Sequence, residues 1–210
     1  MTAPSAAKPT RLPAPLPRSF YDRHANVVAP ALLGHVLIRN TPEGPCGGLI
    51  VEAEAYLADD PACHAFGGQT ERNRAMFGLP GRAYVYLIYG MHFCVNAVCR
   101  PRGVGEAVLI RALEPTVGLD LMRARRQVNR SHDLTNGPAK LCAALGIGSD
   151  LDETDLCDAA SALFIARNPH ADSVRQELGP VARGPRIGIT KAAAMPLRFF
   201  LKRSAFVSRG

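Results

Sequence analysis

The sequence contains no apolar run approaching the roughly 18–20 residues that a membrane-spanning helix requires. Its opening stretch, MTAPSAAKPTRLPAPLP, carries no apolar segment of the kind that marks a secretory signal. Together these absences lead us to expect a protein that works in the cytoplasm or on the nucleoid. CxxC pairs are also missing. Cys46, Cys63, Cys94, Cys99, Cys142 and Cys157 are spaced like neither a structural zinc site nor a redox motif, so buried reduced thiols are expected, with no metal and no cofactor. Lysine occurs only at Lys8, Lys140, Lys191 and Lys202, so the net charge of +7 is carried by arginine. That charge favours an anionic partner, and the planar arginine fork suits phosphate, although a GC-rich genome would give the same bias. No internal repeat and no second boundary interrupts the 210 residues. The expectation is one domain over residues 18–210, preceded by a disordered Pro/Ala-rich arm at residues 1–17.

What is present is a succession of short periodic segments. SFYDRHANVVAPALLG predicts one short helix, opened by Ser19 or Asp22 and ended at Gly34, followed by a strand at His35–Arg39 and a turn in GPCGG. From Leu49 the period is two, which places Ile50, Glu52, Glu54 and Tyr56 on one face and Leu49, Val51, Ala53 and Ala55 on the other. A Gly-rich loop with a short helix around Thr70–Met76 follows. Tyr84–Ile88 and Phe93–Val98 read as a hairpin turning at Tyr89–Gly90–Met91, and Ala107–Ala112 as another strand. Helices are expected in LDLMRARRQVNR and NGPAKLCAALGIG, the latter capped by Asn136. DLDETDLCDAA reads as a solvated acidic loop, and strands are expected at Arg186–Thr190 and Leu197–Leu201.

Several of these residues invite chemistry, each with a plainer alternative. Periodicity alone favours Glu52 and Glu54 as the wet face of an antiparallel sheet. Their company, Tyr56 on the same face and His64 after a loop, instead suits a partly desolvated carboxylate that orients a water and takes its proton. Tyr84 and Tyr86 are more readily core or cross-strand partners than ligands, but Tyr89 falls at a hairpin tip where nothing should bury it, as a wedge for a base stack would. Asn96 interrupts an apolar strand and must bond either backbone or a polar ligand. Arg111, among aliphatics in VLIRAL, must find an anion, and a carboxylate such as Glu54 or a phosphate would serve. Arg123, Arg125, Arg126 and Arg130, with Arg198, Lys202 and Arg203, form basic stretches that are either solvated faces or phosphate contacts.

Taken together, VEAEAYLADDPACHAFGG, QTERNRAMFGLPGRAYVYLIYGMHFCVN, VLIRALEP, LTNGPAKLCAALGI and PLRFF resemble the alkyladenine (3-methyladenine) DNA glycosylase family, from about Phe20 onward. The resemblance implies an α+β fold: a single mixed domain with a curved antiparallel sheet, surrounding helices and a protruding hairpin that enters the DNA minor groove. It implies a monomer that acts on double-stranded DNA containing damaged purines and hydrolyses the base–sugar bond with an activated water, without strand cleavage. Glu54 would be the general base and Arg111 a second holder of the water. Tyr56, His64 and Tyr86 would enclose the flipped base, Asn96 would screen purines, and the Ile187 carbonyl would complete the pocket. Tyr89 would fill the gap in the duplex, with Arg123, Arg125, Arg126, Arg198 and Lys202 on the DNA, and Glu52 would take no chemical part. TKAAAM, between PRIGI and PLRFF, is shorter than in mammalian members and lacks their tryptophan. A non-catalytic module that binds damaged DNA, or a hydrolase of free nucleosides, would share parts of this pattern.

Overall fold

The computed structural model describes residues 13–208. In chain order the elements are α1 (Arg18–Tyr21), α2 (Ala25–Leu32), β1 (Val36–Thr41), β2 (Gly44–Tyr56), a 3-10 helix at Glu71–Phe77, β3 (Ala83–Ile88), β4 (His92–Cys99), β5 (Glu106–Val117), α3 (Leu119–Arg126), α4 (Pro138–Leu145), β6 (Leu163–Ala166), α5 (Ala171–Glu177), β7 (Val181–Gly184) and β8 (Arg198–Leu201). The strands form a single antiparallel sheet in the order β3-β4-β5-β2-β1-β6, with β8 also joined to β2 and β7 to β8. This is the mixed α+β domain expected, its sheet curled into a half-barrel.

The curl has a local cause. Gly47 and Gly48 sit where a Cβ would lie 2.1 Å from the Leu37 carbonyl and 2.2 Å from the Glu114 carbonyl, so only glycine lets the strands cross that closely. The pair therefore lies within the long strand β2, and the turn expected in GPCGG falls earlier, between Thr41 and Gly44. Register shifts around Glu52 bend β2 against β5. On one face of the sheet the small side chains of Ala53, Ala55 and Ala112, all with no exposure, admit α2 into the main core through its Val28, Ala29 and Leu32. The expected single helix is instead α1 and α2, broken at Asp22–His24. The Glu106 carboxylate, brought in from β5, accepts the Ala25 N–H at 2.8 Å and caps α2.

Other expectations shift for similar reasons. Residues 1–12 of the expected arm lie outside the described residues. Farther along, Leu16 is buried, its N–H bonding the Ile165 carbonyl at 2.9 Å, so ordered chain begins before Phe20. α4 starts from Gly137 with Pro138 in its first turn, while Asn136 accepts from Lys140 Nζ at 2.8 Å instead of capping. The acidic loop is only partly solvated: Asp155 pairs with Arg18 at 2.6 Å, and Asp152 accepts the Val85 N–H at 2.8 Å. No strand forms at residues 186–190; the strand there is β7, and residues 185–189 loop back over the sheet. Among the described residues no helix is long and apolar enough to cross a membrane.

Candidate active site

One row of cross-strand partners sets the site. Tyr84 on β3 pairs with Asn96 on β4, Asn96 with Leu109 on β5, Leu109 with Glu54 on β2, and Glu54 with Arg198 on β8. Directly opposed residues share a sheet face, so this row lies opposite the face that α2 covers. The wet-face reading of Glu52 and Glu54 fails, since both are 0% exposed. The loop 185–189 and the segment that follows β8 roof them over.

Burial of two neighbouring carboxylates is costly unless cations and donors meet them. The register shift at Glu52–Ala53 leaves Arg111 unopposed in β5 and aims it between them. Arg111 Nη1 lies 3.2 Å from Glu54 Oε1 and Nε 3.4 Å from Glu52 Oε1. Glu54 further accepts the Ile187 N–H on Oε1 at 2.8 Å and the Tyr56 hydroxyl on Oε2 at 2.9 Å. Burial pushes its proton affinity above the ordinary carboxylate range, opposed chiefly by the Arg111 charge and by the Ile187 and Tyr56 hydrogen bonds. Ile187 thus meets the site through its N–H as well as any part its carbonyl takes.

Beside this pair lies a cavity of about 320 Å³, within the range of small-molecule sites. Tyr56, His64, Tyr86, Asn96, Arg111 and Ile187 all line it. Tyr84, read as more readily core than ligand, belongs to it too. Its hydroxyl lies 2.9 Å from His64 Nδ1, its ring stacks on Tyr86 at 5.2 Å, and His64 meets Tyr86 edge-on at 4.6 Å. Burial, then the Arg72 charge, lowers the proton affinity of His64 and favours the neutral ring. Asn96 donates to the Tyr84 carbonyl at 3.0 Å, which leaves its amide oxygen without a described partner beside the cavity.

At the rim, Tyr89 and Gly90 turn the β3–β4 hairpin with φ of 53° and 70°. Positive φ at both central positions matches the twist of the strands. For a tyrosine it is a strained conformation of the kind found at functional sites. Tyr89 is 79% exposed and also borders the cavity.

The basic residues expected on the DNA fall in different places. Arg123 is held by Asp120 at 2.9 Å and Ser131 at 3.2 Å, Arg125 by Cys46, Ala144 and Glu43, and Arg126 by the Asp133 carbonyl at 3.2 Å. Cys46 lies eight residues before Glu54 on β2, or roughly 25 Å of extended strand, so the structure does not bring α3 to the cavity. Arg198 faces inward, with Nη1 on Glu52 Oε1 at 3.0 Å and Nε on the Pro185 carbonyl at 2.9 Å. Strand pairing next to Glu54 draws it to the nearest buried anion. Lys202 is exposed.

Sequence reasoning missed the Asp60–Arg186 ion pair. Both side chains are fully buried, Arg186 Nη1 also donates to the Ala55 carbonyl at 3.0 Å, and its guanidinium lies 4.6 Å over the Tyr56 ring. The pair fastens the loop carrying Ile187 onto the site, and no local pattern announces two residues so far apart in the chain. Glu52, read as taking no chemical part, is in ion-pair contact with Arg111. Among the described residues no cluster of three or more His, Cys, Asp or Glu could hold a metal ion.

A family model described as methylpurine-DNA glycosylase matches residues 19–205. A protein of Methanoculleus marisnigri, named as a candidate 3-methyladenine DNA glycosylase, is 52% identical over 196 residues, which cover 92% of this chain and 98% of that protein. Similarly named proteins of Rhodopseudomonas palustris HaA2 (50% identical, 97% of this chain and 95% of that protein) and Rubrobacter xylanophilus (50%, 81% and 85%) align as well.

Proposed function

Starting from the premise that the chain belongs to the methylpurine-DNA glycosylase family, we propose that it excises alkylated purines, 3-methyladenine and 7-methylguanine among them, from duplex DNA. Hypoxanthine and ethenoadenine are further candidates. The observation that carries this reading is Glu54, buried against Arg111 beside an aromatic cavity whose rim bears the exposed Tyr89.

Tyr89 would enter the base stack as the lesion swings into the cavity, at an unstacking cost of a few kcal/mol that a badly paired lesion lowers. A cationic purine gains against electron-rich rings such as Tyr86. Asn96, held through its amide nitrogen by the Tyr84 carbonyl, would crowd guanine and reject the normal base. As the base–sugar bond breaks, positive charge grows on the sugar, and the Glu54 carboxylate stabilises it while taking a proton from the attacking water. A carboxylate offers about four acceptor sites. Ile187 and Tyr56 donate to two of those on Glu54 and the Arg111 guanidinium lies 3.2 Å from Oε1 as an ion pair, which leaves an acceptor site for one water. Because Glu54 has no accessible surface in the free protein, that water arrives as the lesion enters. Lys140, Lys191 and Lys202 do not line the cavity, in keeping with hydrolysis by water that leaves an abasic site.

The test is release of free bases, followed by mass spectrometry, from duplexes that each carry one lesion. Wild type should release methylated purines, and Glu54→Gln should lose at least about 100-fold in rate while still binding the duplex. Binding without release by the wild type would favour a damage-recognition module instead. Release from free nucleosides, indifferent to salt, would favour a nucleoside hydrolase.

A further inference from the structure

Glu52 is a buried, densely bonded carboxylate that the mechanism above leaves unused. It is 0% exposed and engaged at both oxygens: Oε1 accepts from Arg198 Nη1 at 3.0 Å with Arg111 Nε in ion-pair contact at 3.4 Å, while Oε2 accepts the Ser208 N–H at 2.8 Å and the Ser208 hydroxyl at 2.6 Å. Ser208 Oγ in turn accepts from Arg111 Nε at 3.4 Å and Nη2 at 3.3 Å. Arg198 and Ser208 alone would neutralise and solvate a buried carboxylate. The arrangement goes further and grips the Arg111 guanidinium along the edge turned away from Glu54.

We propose that Glu52, with Ser208, is a positioning residue for the base-excision reaction, holding Arg111 so that its remaining donors meet Glu54 and the attacking water. A guanidinium carries five N–H donors. Glu52 and Ser208 engage Nε and Nη2, Glu54 engages Nη1, and the donors left over belong to a side chain that lines the cavity. Without the grip, Arg111 would collapse onto Glu54 as a two-pronged ion pair, the strongest geometry open to it, and occupy the acceptor site that the water needs.

Glu52 also acts on the base electrostatically. The groups facing Glu54 are Glu52 and Tyr56 from β2, Arg111 from β5, Cys94 from β4, Arg198 opposite it on β8, and Arg186 and the Ile187 N–H from the loop after β7. Of these, the Glu52 charge raises the proton affinity of Glu54 and Arg111 lowers it. Removing the Glu52 charge therefore lowers it twice over, through lost repulsion and through the closer approach of Arg111. Ser208→Ala, which keeps the Glu52 charge and weakens only the hold on Arg111, separates that hold from the electrostatic effect.

The proposal rests on the glycosylase reading, and two measurements on the full chain separate them. The first follows the carboxyl carbon of Glu54 by NMR titration in the unliganded protein. The second follows single-turnover release of 7-methylguanine from duplex DNA against pH. Glu52→Gln should move both the titration midpoint and the acid limb of the rate profile to lower pH, with a loss of about 100-fold in the plateau rate. Affinity for a duplex bearing an abasic analogue should stay within about twofold of wild type. Ser208→Ala keeps the charge and removes one arm of the grip, so it should slow release about tenfold without moving the midpoint. A folded Glu52→Gln protein with wild-type rate and midpoint overturns the proposal. If that variant does not fold, a wild-type rate in Ser208→Ala does so. A shifted Glu54 midpoint in a protein whose wild type frees no base would sink the glycosylase reading while upholding the coupling of Glu52 to Glu54.

Discussion

Replacing Asp60 with alanine strands a cation inside the protein. Asp60 and Arg186 are both fully buried; Asp60 Oδ1 accepts from Arg186 Nη2 at 3.0 Å and from the Ala62 N–H at 3.0 Å, and Oδ2 pairs with Nη1. Truncating one partner of a buried ion pair typically costs about 3–5 kcal/mol, because the remaining charge keeps its desolvation penalty and loses its compensation. The lost Ala62 contact adds to this, while the Ala55 carbonyl, still bonded to Arg186, moderates it. Against a total stability of about 5–15 kcal/mol this is a large fraction, and for a domain of this size it lowers Tm by roughly 6–20 °C. Urea unfolding followed by circular dichroism should show the midpoint fall with little change in slope. Asp60→Leu combined with Arg186→Met should recover much of the loss, since an apolar pair of similar volume removes both charges from the interior. Base release should not recover with it, because the Ile187 N–H would no longer be fastened to Glu54. A stability change below about 1 kcal/mol in Asp60→Ala would refute the reasoning, since a well-buried ion pair cannot be broken so cheaply.

Other outcomes follow from the same buried groups and the exposed hairpin tip. On the proposed mechanism base release needs ionised Glu54, whose proton affinity is raised by burial, so single-turnover rates should fall as pH drops through a midpoint above the ordinary carboxylate range; a midpoint at the usual glutamate value would contradict the desolvated site. Burial, with Arg175 and Arg167 adding to it, lowers the pKa of His35 to about 4, and its Nδ1 accepts the Asn168 N–H at 3.1 Å. The unfolded state therefore binds this proton first, and stability should decline from about pH 6.5 down to about pH 4 by up to about 3 kcal/mol, then level off; His35→Gln should flatten that decline in pH-dependent urea unfolding. Tyr89→Ala removes a 79% exposed ring, so thermal stability should change by less than about 0.5 kcal/mol while affinity for a lesion-bearing duplex, read by fluorescence anisotropy, falls about tenfold; unchanged affinity would remove the wedge role.

Much of the fold was legible because its signals are local. The period of two around Glu54, the Tyr89–Gly90 turn and the apolar spacing of α4 each depend on neighbours a few residues away, and each reappears as the element expected. β6 and α5 went unseen because LFIA and ADSVRQE are too short to carry a period of their own. The strand expected at 186–190 dissolved into a loop because Arg186 is drawn to Asp60 and the Ile187 N–H to Glu54, interactions that outweigh local strand preference.

The sequence by itself determined which residue types stand at the site and in what order, down to a carboxylate, an arginine and a set of tyrosines on strands of the right period. Only the tertiary structure decided that Glu52 and Glu54 are buried rather than wet, that Arg111 stands between them, and that Arg198 faces inward while α3 lies far along β2. The reason is that charge pairing in the interior is settled by which strands lie side by side and where their register slips, and a register shift between residues some sixty positions apart leaves no mark in the local pattern of either.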